Sequence, residues 1–228
     1  MRLCIDNTRP GNEAIQLSAA TLFARGVEHT IAAHRLLKNG DLLSAYTVVR
    51  ANLETGFCLG ALSERPAVAF NIMKHSYLKE EKKSLHNLLQ NGHESFSNGA
   101  RIQDAVDEIN DELVEFEGIG SGVFDLARIA KSVYIVYRFL SPYAHPDSMI
   151  CAARTQFGPY DGGPTVRVNY KDVITSEHFV INAAVGFDCL KFAARLLPLQ
   201  IDVDLEALND DIDSAIGPHL TEIDKDGA

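Results

Sequence analysis

Basic groups are in short supply in this chain. Among its 228 residues, 21 lysines and arginines stand against 31 acids, a formal net charge of −10. Broad, non-specific nucleic-acid binding needs a basic footprint and is excluded, although a small local RNA site is not. The deficit is uneven. Residues 201–228 hold nine acids and one base, Lys225, so the rest of the chain is close to neutral. That tail reads as a solvated acidic face. Cysteine is scarce and scattered: Cys4, Cys58, Cys151 and Cys189 form no Cys-x-x-Cys pair. A zinc ribbon and a thioredoxin-like motif are thereby excluded, and buried reduced thiols are expected.

Long apolar runs are also missing. The most apolar helical stretch, 179–199, is interrupted by Asn182, Asp188, Lys191 and Arg195, so no membrane span is expected. The first residues, MRLCIDNTRPGNE, contain no apolar signal core. A soluble, cytoplasmic protein is the expectation. No internal repeat or low-complexity segment is present. Metal motifs are lacking too. His29 and His34 are five apart, which misses the i, i+4 spacing of a zinc helix, and no Glu-x-x-His pattern exists. Glu28, His29 and His34 read as a solvated face, and neither metal nor cofactor is expected. Gly118-Ile119-Gly120-Ser121-Gly122 lies between two helical segments rather than after a strand, so it reads as a turn and not as a phosphate loop.

What is present is the composition of a globular protein, 46% hydrophobic and 23% charged. A chain of this size hides roughly 70% of its unfolded surface, enough for a sizeable core. Most of it reads as helix. Residues 12–38 end at Asn39-Gly40, a natural stop, and Asp41 caps a second helix to about Glu64. The tight Asn-Gly-Asp link predicts an antiparallel pair. Pro66 opens a shorter helix over 66–77, followed by a polar helix over 78–91 and a loop at 92–99. In 100–117 the apolar residues Ile102, Val106, Ile109, Leu113 and Phe116 recur every three or four positions, an amphipathic helix. A further helix is expected over 123–141, a long one over 175–197, and a weak one over 203–214. The β signal is small: alternating Val166, Val168 and Tyr170 beside Asp161-Gly162-Gly163-Pro164 predict a loop or hairpin near 155–170. The fold class is therefore all-α, an antiparallel bundle of long helices with a small insertion near 155–170. Residues 1–200 form one bundle domain and 201–228 an acidic C-terminal helix and tail.

Two places could carry chemistry. Arg50 and Glu54 share one helix face, which continues through Leu43, Thr47, Phe57 and Ala61. An ion pair inside a largely apolar stripe implies partial burial, where charges need several partners. It is either a structural pair that fixes helix packing or part of a functional site. The second place is Tyr137-Arg138-Phe139-Leu140-Ser141-Pro142-Tyr143-Ala144-His145-Pro146. Arg138 and Ser141 share a face near a helix end. Pro142 has no N–H for the Arg138 carbonyl, and Pro146 restrains His145. A cation and an imidazole are thus brought close. Arg138 could hold a phosphate through its planar fork, and His145 could move a proton near neutral pH.

Arg50-x-x-x-Glu54 followed by Tyr-Arg-x-Leu-Ser-x-Tyr-x-His-Pro resembles a widespread family of helical bacterial proteins of unknown function. Its members are similar to the higher-eukaryote and prokaryote nucleotide-binding (HEPN) superfamily. The likeness spans roughly residues 40–150, and more weakly 175–197. It implies a bundle of long helices that is often dimeric, and a metal-independent endoribonuclease of a toxin or antiphage system. The superfamily's signature is an Arg, four to six residues, then a His, which Arg138 and His145 match. Phe139 departs from it, standing where such nucleases carry a polar residue. On this resemblance Arg138 and His145 are the catalytic pair, with Arg50, Glu54 and Ser141 supporting them or touching phosphate. Glu54 would orient Arg138 or His145. The implied partners are RNA, a second copy of the chain, and an antitoxin or defence-system protein. The competing expectation is a non-catalytic interaction module in which the same five residues form a buried polar network. Exposure separates the two, because a network sealed on all sides cannot meet RNA.

Overall fold

The computed structural model describes residues 13–90, 99–131, 134–141, 155–160, 163–168 and 174–199, together with 207, 210, 211 and 214. Seven helices run through the described residues: α1 (Glu13–Lys38), α2 (Leu42–Glu64), α3 (Pro66–Gln90), α4 (Gly99–Val114), α5 (Val123–Ala130), α6 (Tyr134–Leu140) and α7 (Ser176–Leu196). Two short strands, β1 (Thr155–Tyr160) and β2 (Gly163–Val168), pair antiparallel with Tyr160 opposite Gly163. The expected all-α bundle with a small hairpin near 155–170 is what forms. No helix among the described residues is long and apolar enough to cross a membrane. Of the acidic C-terminal segment, residues 207, 210, 211 and 214 are helical and exposed.

The helix ends follow from local chemistry. Gly40 takes a left-handed φ of 79° between α1 and α2, a conformation that costs glycine nothing. Asp41 then accepts the Ser44 backbone N–H at 3.1 Å and caps α2. So short a link forces α1 and α2 to pack antiparallel. At the start of α7 the Thr175 N–H donates to His178 Nδ1 at 3.0 Å while the Thr175 side chain receives the His178 backbone N–H, a capping box with histidine in the usual Glu place.

The expected boundaries fail in two places. Residues 66–77 and 78–91 are one helix, α3. Nothing between Tyr77 and Leu78 stops a helix, and its buried residues Ala69, Ile72, His75 and Leu78 run through the supposed break at constant spacing. Conversely, the helix expected over 123–141 is divided. Lys131 adopts φ 53°, ψ 32° and its N–H bonds the Ala127 carbonyl, which ends α5. The break lets α5 and α6 each turn a face toward α2: Leu126, Ala127 and Ala130 from the first, Tyr137 and Leu140 from the second. A smaller difference lies in α4, which ends at Val114 and passes through turns to Gly118 at φ 80°.

The central element is α2, which packs against α1, α3, α5, α6 and α7. Its buried residues, Ala45 through Leu62, occupy nearly every face, as a core helix requires. Three close contacts, at two helix crossings, depend on missing side chains. A Cβ on Gly186 would lie 2.6 Å from Thr30 Oγ1, one on Gly60 would lie 2.7 Å from the Ala130 Cβ, and one on Gly26 would lie 3.2 Å from the Cys189 Cβ. Around these contacts runs a polar seam joining α1, α2 and α7. Asn52 donates to Thr30 Oγ1 at 2.9 Å, Asn182 donates to the Thr30 carbonyl at 3.1 Å, and the Cys189 thiol lies 3.5 Å from Asn52 Oδ1. These bonds satisfy most of the polar groups that close packing removes from water.

Candidate functional site

Arg50 and Glu54 lie one turn apart on α2, and the antiparallel packing brings α6 across them. Arg50 Nη2 donates to the Tyr137 hydroxyl at 2.5 Å, and that hydroxyl donates to Glu54 Oε1 at 3.0 Å. The two charges lie 3.4 Å apart, and the guanidinium sits 4.7 Å from the centre of the Tyr137 ring. Arg50 and Glu54 keep 21% and 36% of their side-chain exposure, so the triad is partly screened rather than sealed. Arg50 Nε is buried without a hydrogen-bond partner among the described residues. Burial first, then the Glu54 carboxylate, push the Tyr137 phenol above its usual pKa. The phenol therefore stays protonated and serves as the donor that Glu54 needs.

Aromatic rings continue from this triad to the surface. Tyr137 stacks on Tyr134 at 5.3 Å, and Tyr134 meets Phe124 edge-on at 5.2 Å. Phe57 backs both tyrosines from α2. Tyr137 is buried, whereas Arg138, one residue on, is exposed and has no hydrogen-bond or ion-pair partner among the described residues. Ser141 turns inward: its hydroxyl donates to the Tyr137 carbonyl at 2.8 Å, a back-bond that occupies its proton. His145 lies outside the described residues, as do Pro142, Pro146 and the Phe139 side chain.

Of the five residues singled out in the sequence, Arg50 and Glu54 meet, Arg138 lies on α6 and Ser141 directly follows that helix. Glu54 is engaged by Tyr137 and Arg50, and not by Arg138. Sequence reasoning passed over Tyr137 as a site residue, although it stands inside the motif. Only the crossing of α6 over α2 reveals its partners, 83 and 87 residues away.

His29 was also misread. Glu28 and His34 are exposed, the latter edge-on to Phe179, but His29 is half-buried and its Nδ1 is enclosed without a partner among the described residues. Burial, then Arg25, lowers its pKa, against the opposing pull of Glu28 and Glu54. The short α1–α2 link could have revealed this, because it sets His29 opposite the Arg50–Glu54 turn. Among the described residues no group of three or more His, Cys, Asp or Glu side chains could hold a metal ion. The described thiols, Cys58 and Cys189, are free, and burial above all pushes each up to about 12. Both are thus inert as nucleophiles at neutral pH.

The arrangement can hold an arginine and a carboxylate in fixed register, and it leaves a second arginine facing solvent. The profile of a family of unknown function, DUF5677, matches residues 17–155, most of the chain, and the chain belongs to that family. The match takes in nearly all of α1 and the whole of α2 to α6. No curated protein and no solved structure matches the chain.

Proposed function

We propose that this member of the DUF5677 family is a HEPN-like RNA-binding protein that cleaves RNA without a metal through Arg138 and His145. What supports this is the way α6 is held. Arg50 and Glu54 fix Tyr137 on the inner side of the helix, and the next residue, Arg138, faces solvent with its charge uncommitted among the described residues. The Arg-to-His segment resembles the HEPN signature, and His145 follows seven residues after Arg138. In the reaction His145 takes the proton of a ribose 2′-OH. The 2′-oxygen attacks the adjacent phosphorus, the bond to the 5′-oxygen breaks, and a second acid protonates that oxygen. Arg138 stabilises the charge that collects on the non-bridging oxygens. The products are a 2′,3′-cyclic phosphate and a 5′-OH. Arg50 and Glu54 act through Tyr137 as positioning residues, which replaces direct orientation of Arg138 by Glu54.

The second acid comes most simply from a second copy. The outer face of α1 carries Leu17, Ala24, Val27 and Ile31, all exposed, beside an open groove of about 640 Å³ that reaches Arg25 and His29. Two antiparallel copies of α1 paired about this stripe would set Arg25 of each against Glu28 of the other. The setting we propose is a cytoplasmic toxin or phage-defence system with an antitoxin-like partner.

The test is incubation of the purified protein with mixed RNA in EDTA beside His145→Ala. Cleavage leaving cyclic phosphates, lost in the variant, is the expected result. Cleavage retained by His145→Ala removes that residue from the chemistry. A second reading has its own support: Arg50, Glu54, Tyr137 and Ser141 each hydrogen-bond one another or nearby backbone. In that case the chain is a non-catalytic helical interaction module and no RNA is cut.

A further inference from the structure

The segment 123–141 runs against the charge of the rest of the chain. It holds Arg128, Lys131 and Arg138 and one acid, Asp125, in a protein of net charge −10. All three cations are exposed, and the ion pair that Asp125 makes among the described residues is with Arg128, at 3.8 Å. The same segment bears an exposed aromatic ring. Phe124 is 56% exposed, which is unusual for a residue that could have joined the core beside it.

Helix geometry gathers these groups. Phe124 and Arg128 are four apart on α5, so they share a face, and Tyr134 and Arg138 do the same on α6. The edge-on contact of Phe124 with Tyr134 at 5.2 Å joins the two faces into one surface. Behind it the stack of Tyr134 on Tyr137, and of Arg50 over Tyr137, keeps the rings from yielding. Lys131, at the left-handed turn between the helices, is exposed as well and follows Arg128 by three residues.

We propose that the outer faces of α5 and α6 form a docking platform for single-stranded nucleic acid. A base stacks on Phe124, and the flanking phosphates meet Arg128, Lys131 and Arg138. This rests on the RNA-cleaving reading and deepens it, because Arg138 belongs to both and the platform selects unpaired strands. Cations interleaved with an exposed ring fit a ligand that alternates phosphate and base. An acidic peptide would use the cations and leave the ring without a role.

The experiment is anisotropy of a fluorescein-labelled, 2′-O-methylated oligopyrimidine, which can bind but cannot be cut at the 2′-oxygen. Phe124→Ala should weaken binding about tenfold, in line with the stacking of one base, and Phe124→Tyr should restore it. Arg128→Ala with Lys131→Ala should weaken binding and flatten its salt dependence by about two phosphate contacts. A duplex of equal length should bind less tightly. Unchanged affinity in Phe124→Ala, equal affinity for the duplex, or displacement by polyglutamate that is indifferent to Phe124 would each overturn the platform. If RNA is still cleaved in those cases, the nuclease reading stands without it. If the unaltered chain binds no single strand at all, both fall. Phe124 is mostly exposed, so its truncation leaves the core intact, and an unchanged urea midpoint checks this.

Discussion

The Tyr137 hydroxyl joins two opposite charges that its own helix does not carry. Tyr137→Phe keeps the ring stack and the 3.4 Å ion pair but removes the bridge. A net loss of about 1.5–3 kcal/mol is expected by urea unfolding, because the hydroxyl makes two hydrogen bonds and each is to a charged group. Titration adds a sign. The folded phenol is raised above 10, so its contribution is intact below pH 10 and is lost as pH rises through the folded value. His29 acts in the opposite range. Its folded pKa lies below 6.5, so its contribution is intact above pH 6.5 and falls away as pH drops toward the folded value. His29→Gln should therefore lose less stability than the parent between pH 7 and pH 5, measured as the urea midpoint. A parallel decline in both proteins would refute that role. Spacing alone exposed Arg50 and Glu54. It could not expose Tyr137, whose partners lie on a helix far away in the chain, and the burial of His29 follows only when the short α1–α2 link is read with it.

Helix ends were legible where a residue with special backbone chemistry marks them. Asn39-Gly40-Asp41 and Pro66 gave the ends of α1, α2 and α3 to within a residue or two. The end of α5 was not legible, because an ordinary lysine occupies the left-handed position that glycine usually marks. The false division of α3 came from a change in composition, apolar before Tyr77 and charged after Leu78, that burial does not follow. Close crossings leave a sharper mark. Gly186 sits in mid-helix, where alanine is intrinsically better by about 1 kcal/mol. The Thr30 side chain fills the place of its Cβ, with Cγ2 at 2.8 Å, and that side chain also accepts from Asn52. Gly186→Ala should therefore destabilise the protein, by about 1–3 kcal/mol of overpacking. A stabilised variant would mean that α1 and α7 cross less closely.

At the scale of the molecule, the all-α class and the hairpin followed from periodicity and turn residues, and the acidic balance from counting. How the helices meet did not, because crossings depend on pairs of faces far apart in the chain. Two consequences are measurable. Cys58 and Cys189, pushed up to about 12 by burial, should resist iodoacetamide at pH 8 and react only on unfolding. Rapid native labelling of either would contradict the packing of α2 on α7. If α1 pairs with its own copy, Ile31→Glu should shift sedimentation from dimer to monomer while the monomer keeps its helical circular dichroism, since Ile31 is 46% exposed. A parent chain that sediments as a monomer removes that interface.

In the proposed nuclease, α6 is anchored through Tyr137 and the exposed Arg138 meets phosphate. Single-turnover cleavage of end-labelled RNA in EDTA by Arg138→Ala, with its urea midpoint measured in parallel, tests this most directly. Cleavage should fall by at least about a hundredfold, the scale of losing one charge-stabilising donor, with the midpoint unchanged. Undiminished cleavage, or a midpoint that falls as it does for a buried structural arginine, would contradict it.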